Sequence, residues 1–308
     1  MKPTPADYFK LHLIVFLWGF TAILGKFVTL PALEMVFLRT VLAAAGMVVV
    51  MAIFEHSFRV TQQDLIKILL TGSIVAFHWL TFFESARIAN VSVSLIGLAT
   101  AALWTALIEP FTNGKSINPV EVLLGSIVIA GLAIILSFNF QYKLGLAVAV
   151  ASGLGTALFS IINARLVKRV SPHAITLYEM IGAAITIALM LPFYKIYFTE
   201  NNQLHFEATL LDWVCIAILE WVCVVYTFTE GVNLMKRISV FLFQLTLNLE
   251  PLYGMVLAII FFKEHREMNF NFYAGSAIIL SAVLFYPFLK KKANKPEAIQ
   301  ELLPNEKG

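Results

Sequence analysis

The sequence predicts an all-α polytopic membrane protein, with ten transmembrane helices set as two inverted five-helix repeats. Three observations predict it. The first is composition: 59% of the 308 residues are hydrophobic, 13% are charged and the mean hydropathy is +0.83. Soluble domains run to about 45–50% apolar and ~25% charged, so a water-facing exterior is out of reach. The second is that the apolar residues fall into ten stretches, each near the ~20 residues that span a hydrocarbon core. The third is that the last five stretches repeat features of the first five. The same composition excludes a disordered chain or a disulfide scaffold. The small net charge of +3 gives no reason to expect nucleic acid.

The first stretch, Leu11–Thr29, follows Lys2 and Lys10 as a signal peptide's apolar part would. It is longer than such a segment and lacks a small-x-small cleavage site, so it reads as a retained helix. Met35–Phe54 follows Pro31 and carries Ala43-Ala44-Ala45-Gly46. Leu65–Ala86, Val91–Phe111 and Val120–Phe138 complete the first half. Leu144–Asn163 opens the second with Gly153-Leu154-Gly155, Ala157 and Ser160. Ala174–Phe193 follows Ser171-Pro172 and carries Gly182-Ala183-Ala184. Small residues in these places let helix backbones approach closely in lipid. Leu211–Gly231, Ser239–Phe261 and Phe270–Leu289 end the series. The longest connection is Tyr194–Leu210, with Asn201-Asn202-Gln203. Cys215 and Cys223 share one stretch; on a helix they stand about 12 Å apart, too far for a bridge, and read as small apolar filler. Residues 1–140 thus form the first repeat and 141–292 the second, and 293–308, polar with Pro296 and Pro304, is expected to be a disordered cytoplasmic tail.

Lysine and arginine set the orientation. With the N-terminus in the cytoplasm, fifteen of the 22 fall in inside segments and six in outside segments, Arg39 lying within a span. Both termini are then cytoplasmic, which an even number of spans requires, and the cell (inner) membrane is the expected location.

Asn90-Val91-Ser92-Val93 precedes span four as Arg237-Ile238-Ser239-Val240 precedes span nine, at an offset of 147. Gly125-Ser126 and Gly275-Ser276 lie in spans five and ten at 150, and Arg39 and Glu179 open spans two and seven at 140. Glu109-Pro110 and Glu250-Pro251 stand 141 apart, which fits poorly; a better register sets Ala102 against Pro251 and Trp104 against Tyr253. An odd number of spans per repeat makes the second thread the membrane upside down relative to the first. Inverted repeats are an architecture of secondary transporters, with the site near the midplane between halves.

Leu17-Trp18-Gly19-Phe20, Phe37-Leu38-Arg39 and His78-Trp79 with Asn90-Val91-Ser92 accompany a longer run in span nine, Leu247-Asn248-Leu249-Glu250-Pro251-Leu252-Tyr253-Gly254. Phe262-Lys263-Glu264 and Tyr273-Ala274-Gly275 follow it. On these residues the chain, over about 10–290, resembles EamA-type transporters of the drug/metabolite transporter superfamily. In the first repeat Ala102 stands where the pattern has proline, and no glutamate follows near Lys115. The resemblance implies metabolite transport, often export, through a central cavity lined mainly by spans one, three, four, six, eight and nine.

Ionisable groups at membrane depth are costly, about 2.5–3.5 kcal/mol at a helix centre, and persist where they pair, face water or do chemistry. His78 and Glu220 lie deepest in spans three and eight. They could couple to protons or meet an amine on a substrate, or make structural hydrogen bonds between helices. Arg39 and Glu179 read as structural charges, either approaching each other across the pseudo-two-fold axis or neutralising charges elsewhere. Glu34, Glu84, Arg87 and Glu230 fall near span ends and are expected to be solvated. Asn248, Glu250 and Pro251 mark a kink, since proline leaves the carbonyl of Leu247 free to bind substrate or flex. Trp18, Trp79, Trp104 and Tyr226 complete the candidate substrate path as aromatic lining, while Trp213, near a span end, reads as interface belt.

The expected function is a secondary transporter moving a small metabolite, an amino acid, related solute or amphipathic drug, as an exporter by alternating access. The alternatives are a membrane-embedded enzyme or a channel-like permease. No membrane-protease or acyl-transferase arrangement and no nucleotide-binding loop occurs in the sequence. No catalytic residue, metal or cofactor is called for. The expected partners are a small-molecule substrate and the lipid bilayer, not nucleic acid, with a homodimer left open.

Overall fold

A computed structural model describes residues 3–114, 116–136, 142–250, 253, 257 and 270–293. Among these residues the chain is helical and without strands. The first half comprises α1 (Pro5–Gly19), α2 (Thr21–Phe27), α3 (Ala32–Ile53), α4 (Gln62–Ile88), α5 (Val91–Leu98), α6 (Ala101–Asn113) and α7 (Pro119–Leu136). The second comprises α8 (Lys143–Leu166), α9 (Pro172–Tyr197), α10 (Leu210–Glu220), α11 (Thr227–Leu234), α12 (Val240–Leu247) and α13 (Phe270–Ala293). Among the described residues, seven segments are long and apolar enough to cross a membrane: Pro5–Phe27, Ala32–Ile53, Gln62–Ile88, Val93–Thr112, Lys143–Leu166, Pro172–Tyr197 and Leu210–Leu234. α7 and α13 contribute shorter apolar stretches. Much of the predicted ninth span, with Pro251, the Phe262-Lys263-Glu264 run and the tail from residue 294, lies outside the described residues.

Helix starts follow from short polar side chains. Thr4, Thr61, Asn90, Ser171, Thr209 and Ser239 each accept a hydrogen bond from a backbone N–H in the first turn, which satisfies a donor the helix leaves open. Pro5 and Pro172, at the first helical position, have no N–H to lose. The long connection after α9 turns at Asn201 and Asn202, whose φ values of 55° and 53° asparagine tolerates better than most residues.

Packing centres on α4, which lies against α8 and α9; α3 packs on α9, α5 and α6 on α8, and α7 on α13. The crossings use small residues. A Cβ on Gly182 would lie 2.8 Å from Leu69 Cα, and one on Gly72 would lie 2.8 Å from Ala183 N, so α4 and α9 touch backbone to backbone. Ser73 and Thr186 share a hydrogen bond of 2.7 Å near this crossing. Gly153 fits under Thr100 and Gly155 under His78. The outward surface is apolar, with Ile53, Leu70, Leu144, Leu189 and Phe193 all exposed, as a lipid-facing surface must be.

The two halves repeat one another in hydrogen bonding. At an offset of 149, Asn90 and Ser239 cap equivalent helices, Ala99 and Asn248 donate to the carbonyls of Ile96 and Leu245, and Thr100 and Leu249 to those of Gly97 and Thr246. Trp104 and Tyr253 then donate to the carbonyls of Thr100 and Leu249. This is the register that sets Trp104 against Tyr253. It moves Asn90 from Arg237 to Ser239, because the capping role, not the neighbouring Val-Ser-Val likeness, fixes the equivalence.

At an offset of 148, Thr61 with Asp64 and Thr209 with Asp212 form the same cap at the starts of α4 and α10. Each aspartate also ties down a loop of the other half. Asp64 accepts from Arg169 at 2.6 and 2.9 Å; Asp212 accepts from the backbone N–H and hydroxyl of Thr29 at 2.7 and 2.9 Å.

Candidate functional site

Spans read as continuous helices are broken where the molecule opens. Phe20 separates α1 from α2, Ala99 and Thr100 separate α5 from α6, and α12 ends at Asn248. A π turn over Trp221–Tyr226 separates α10 from α11. Such turns loosen the regular ladder and frequently occur at functional sites. Here the carbonyl of Cys223 accepts from the indole N–H of Trp18 at 3.1 Å and from the Thr227 hydroxyl at 2.9 Å. The Thr21 hydroxyl donates to the carbonyl of Trp18 at 2.8 Å.

Between these breaks lies a cavity of about 700 Å³, its mouth included. The first half supplies Trp18, Thr21, Arg39, His78, Trp79, Phe82, Phe83 and Leu98 to its wall. The second supplies Thr156, Phe159, Ser160, Cys223, Phe228, Gly231, Val232, Met235, Phe243, Leu247 and Glu250. Spans one, three, four, six, eight and nine all contribute, and span two adds Arg39.

Arg39, buried on α3, donates from Nε to Glu220 at the end of α10. Its guanidinium carbon sits 4.6 Å from the Trp79 ring centre and 4.7 Å from that of Phe83, so two aromatic faces share its charge. Arg39 Nη1 and Glu220 Oε2 are buried without a hydrogen-bond partner among the described residues. Arg39 therefore meets Glu220 and not Glu179. Glu179, at the equivalent place on α9, accepts instead from Asn163 of α8 at 3.2 Å.

His78 joins α4 to α8. Its Nδ1 lies 2.7 Å from the Ser152 hydroxyl and 2.8 Å from that of Thr156, and Ser152 also donates to the His78 carbonyl at 3.0 Å. Gln244 of α12 donates to Ser160 at 2.7 Å, which continues the polar strip along α8. Glu250 is 3% exposed, lines the cavity and accepts no hydrogen bond from any described residue.

The remaining candidates lie elsewhere. Trp104 is half-buried and Asn248 buried, neither in the wall, and Trp104 Nε1 and Asn248 Nδ2 have no hydrogen-bond partner among the described residues. Tyr226 and Trp213 are on the exposed surface, and Pro251 is outside the described residues. Cys215 and Cys223 are buried and free, Cys223 facing the cavity. Glu34, expected to be solvated, is buried and accepts from the backbone N–H of His205 at 3.3 Å. The phenylalanines of the wall were not singled out by the sequence, since the chain has 26 of them and no pattern marks these five.

The model of the EamA-like transporter family matches residues 8–137 and again 143–288. The chain belongs to the EamA-like transporter family. The two EamA matches divide at the boundary between α7 and α8. No curated protein matches this EamA-like chain in sequence. A solved structure entitled "Crystal structure of protein" superposes with a TM-score of 0.70 at 16% identity, over 92% of this chain and 98% of that one. At that identity it supports the fold of the EamA-like chain alone.

Proposed function

We propose that this protein is a secondary transporter that exports a small metabolite across the cell (inner) membrane by alternating access. In this reading ten spans form two inverted repeats, with both termini in the cytoplasm. The observation that carries it is the cavity walled by both halves of a transporter-family chain. A site between two like halves is reached from opposite sides when the halves exchange conformations. The contact pattern supports the symmetry: α4 packs on α8 as α1 and α2 pack on α10 and α11, and α7 packs on its counterpart α13. The excess of lysine and arginine in the inside segments supports the orientation. Thr156 and His78 stand 2.8 Å apart in the cavity wall, so the family match, not the lack of a hydroxyl beside a base, is what favours transport over an enzymatic reading.

Glu220 and His78 are the groups proposed to couple flux to protons, one through its bond to the cavity residue Arg39 and one in the wall itself. Flux into and out of proteoliposomes, with and without a proton gradient, tests the scheme. Glu220→Gln is expected to abolish the pH dependence of flux; unchanged dependence removes Glu220 from coupling. Tags at residues 1 and 308 accessible from different sides would overturn the topology.

A further inference from the structure

The polar groups of the cavity wall are mostly spoken for. The Trp18 indole is held by the Cys223 carbonyl and the Thr21 hydroxyl by the Trp18 carbonyl. The Thr156 hydroxyl engages His78, and Ser160 receives Gln244. Arg39 is bonded to Glu220 and packed between two rings. Its charge is balanced within the protein, and an anion would have to compete with Glu220 to use it. Glu250 has no such answer: it is nine-tenths buried and more, it lines the cavity, and no described residue donates to it. A carboxylate taken out of water without a counter-charge is strongly disfavoured. Such a group is relieved by a proton or by a cation that enters the cavity.

We infer that the cavity takes an organic ammonium ion with an aromatic or branched apolar body, its nitrogen on the Glu250 carboxylate and its body among Trp18, Trp79, Phe159, Phe228 and Phe243. This rests on the transport reading of the same cavity and narrows its substrate class. Aromatic faces attract cations, and do so most where water is excluded. The rings are arranged for it: Trp18 meets Phe243 edge-on at 6.1 Å, Phe159 lies 5.7 Å from Phe228, and Trp79 meets Phe228 edge-on at 6.4 Å. Trp79 already holds the Arg39 guanidinium over its face.

The test uses the purified full chain in detergent and two probes of matched shape, 2-phenylethylamine and 3-phenylpropionate. Binding is read from tryptophan fluorescence, since Trp18 and Trp79 face the cavity. The amine is expected to bind saturably and the acid not. Glu250→Gln is expected to weaken the amine by roughly 30-fold or more, as removal of a buried charge partner does, while Glu250→Asp retains binding. Preference for the acid, undiminished amine binding by Glu250→Gln, or no saturable amine binding would each overturn the assignment. Should the Gln variant not fold, the contrast between the two probes on the unaltered chain decides. Flux of both probes in proteoliposomes separates the two readings. An amine that binds and is not carried overturns transport and leaves the cation site. Carriage of the acid alone leaves transport and overturns the cation site.

Discussion

Glu220 and Glu250 are both buried carboxylates from the second half, one behind the cavity wall and one in it. Glu220 has a partner supplied by the first half, and Arg39 spans the distance between α3 and α10 to reach it. Glu250 has none among the described residues. The first arrangement joins two helices from different halves. The second has no counter-charge among the described residues and is relieved by taking up a proton or a cation. Burial alone thus does not distinguish a structural acid from a binding one; the presence or absence of a built-in counter-charge does.

Stability measurements on detergent-solubilised protein can break or sharpen that contrast. The largest effect is expected from Arg39→Met, which strands Glu220 in the interior and should cost about 3–5 kcal/mol of unfolding free energy. Adding Glu220→Met to it should restore stability to within about 1 kcal/mol of the unaltered chain, because a well-packed apolar pair replaces an ion pair at little net loss. A double variant no more stable than Arg39→Met would mean that the pair does more than satisfy itself. Glu220→Gln comes next, at about 2 kcal/mol, since the guanidinium keeps its two aromatic faces when its carboxylate is neutralised. The smallest effect is expected from Glu250→Gln, within about 0.5 kcal/mol, the level of a change that breaks no protein contact. A loss there as large as that of Arg39→Met would show a protein partner for Glu250 and erase the distinction.

Composition and hydropathy made the membrane-embedded, all-helical character and the twofold repetition legible, and the capping residues Asn90, Ser171 and Ser239 stand within a few residues of the predicted span starts. Four of the eight named substrate-path residues, Trp18, His78, Trp79 and Glu250, face the cavity. Trp104, Tyr226 and Asn248 do not, because helices apolar on every side carry no stripe from which a facing direction can be read. Of the helix breaks, the end of α12 at Asn248 stands beside the kink that the sequence marks with Pro251, and the others went unmarked. The π turn at Trp221–Tyr226 contains neither proline nor glycine, so nothing local announces it. The Arg39 partner escaped because equivalent positions in the two halves need not face each other. Arg39 points from α3 toward α10, and Glu179 points from α9 toward α8.

The reciprocal ties of Asp64 to Arg169 and Asp212 to Thr29 bear on whether either half could stand alone. Each half begins a central helix with an acid whose second job is done on the opposite half. Either half by itself would keep the threonine cap of its helix but lose the partner that its acid grips. Cutting the chain between α7 and α8 would therefore cost nothing at the caps and everything at these two ties, unless the pieces reassociate.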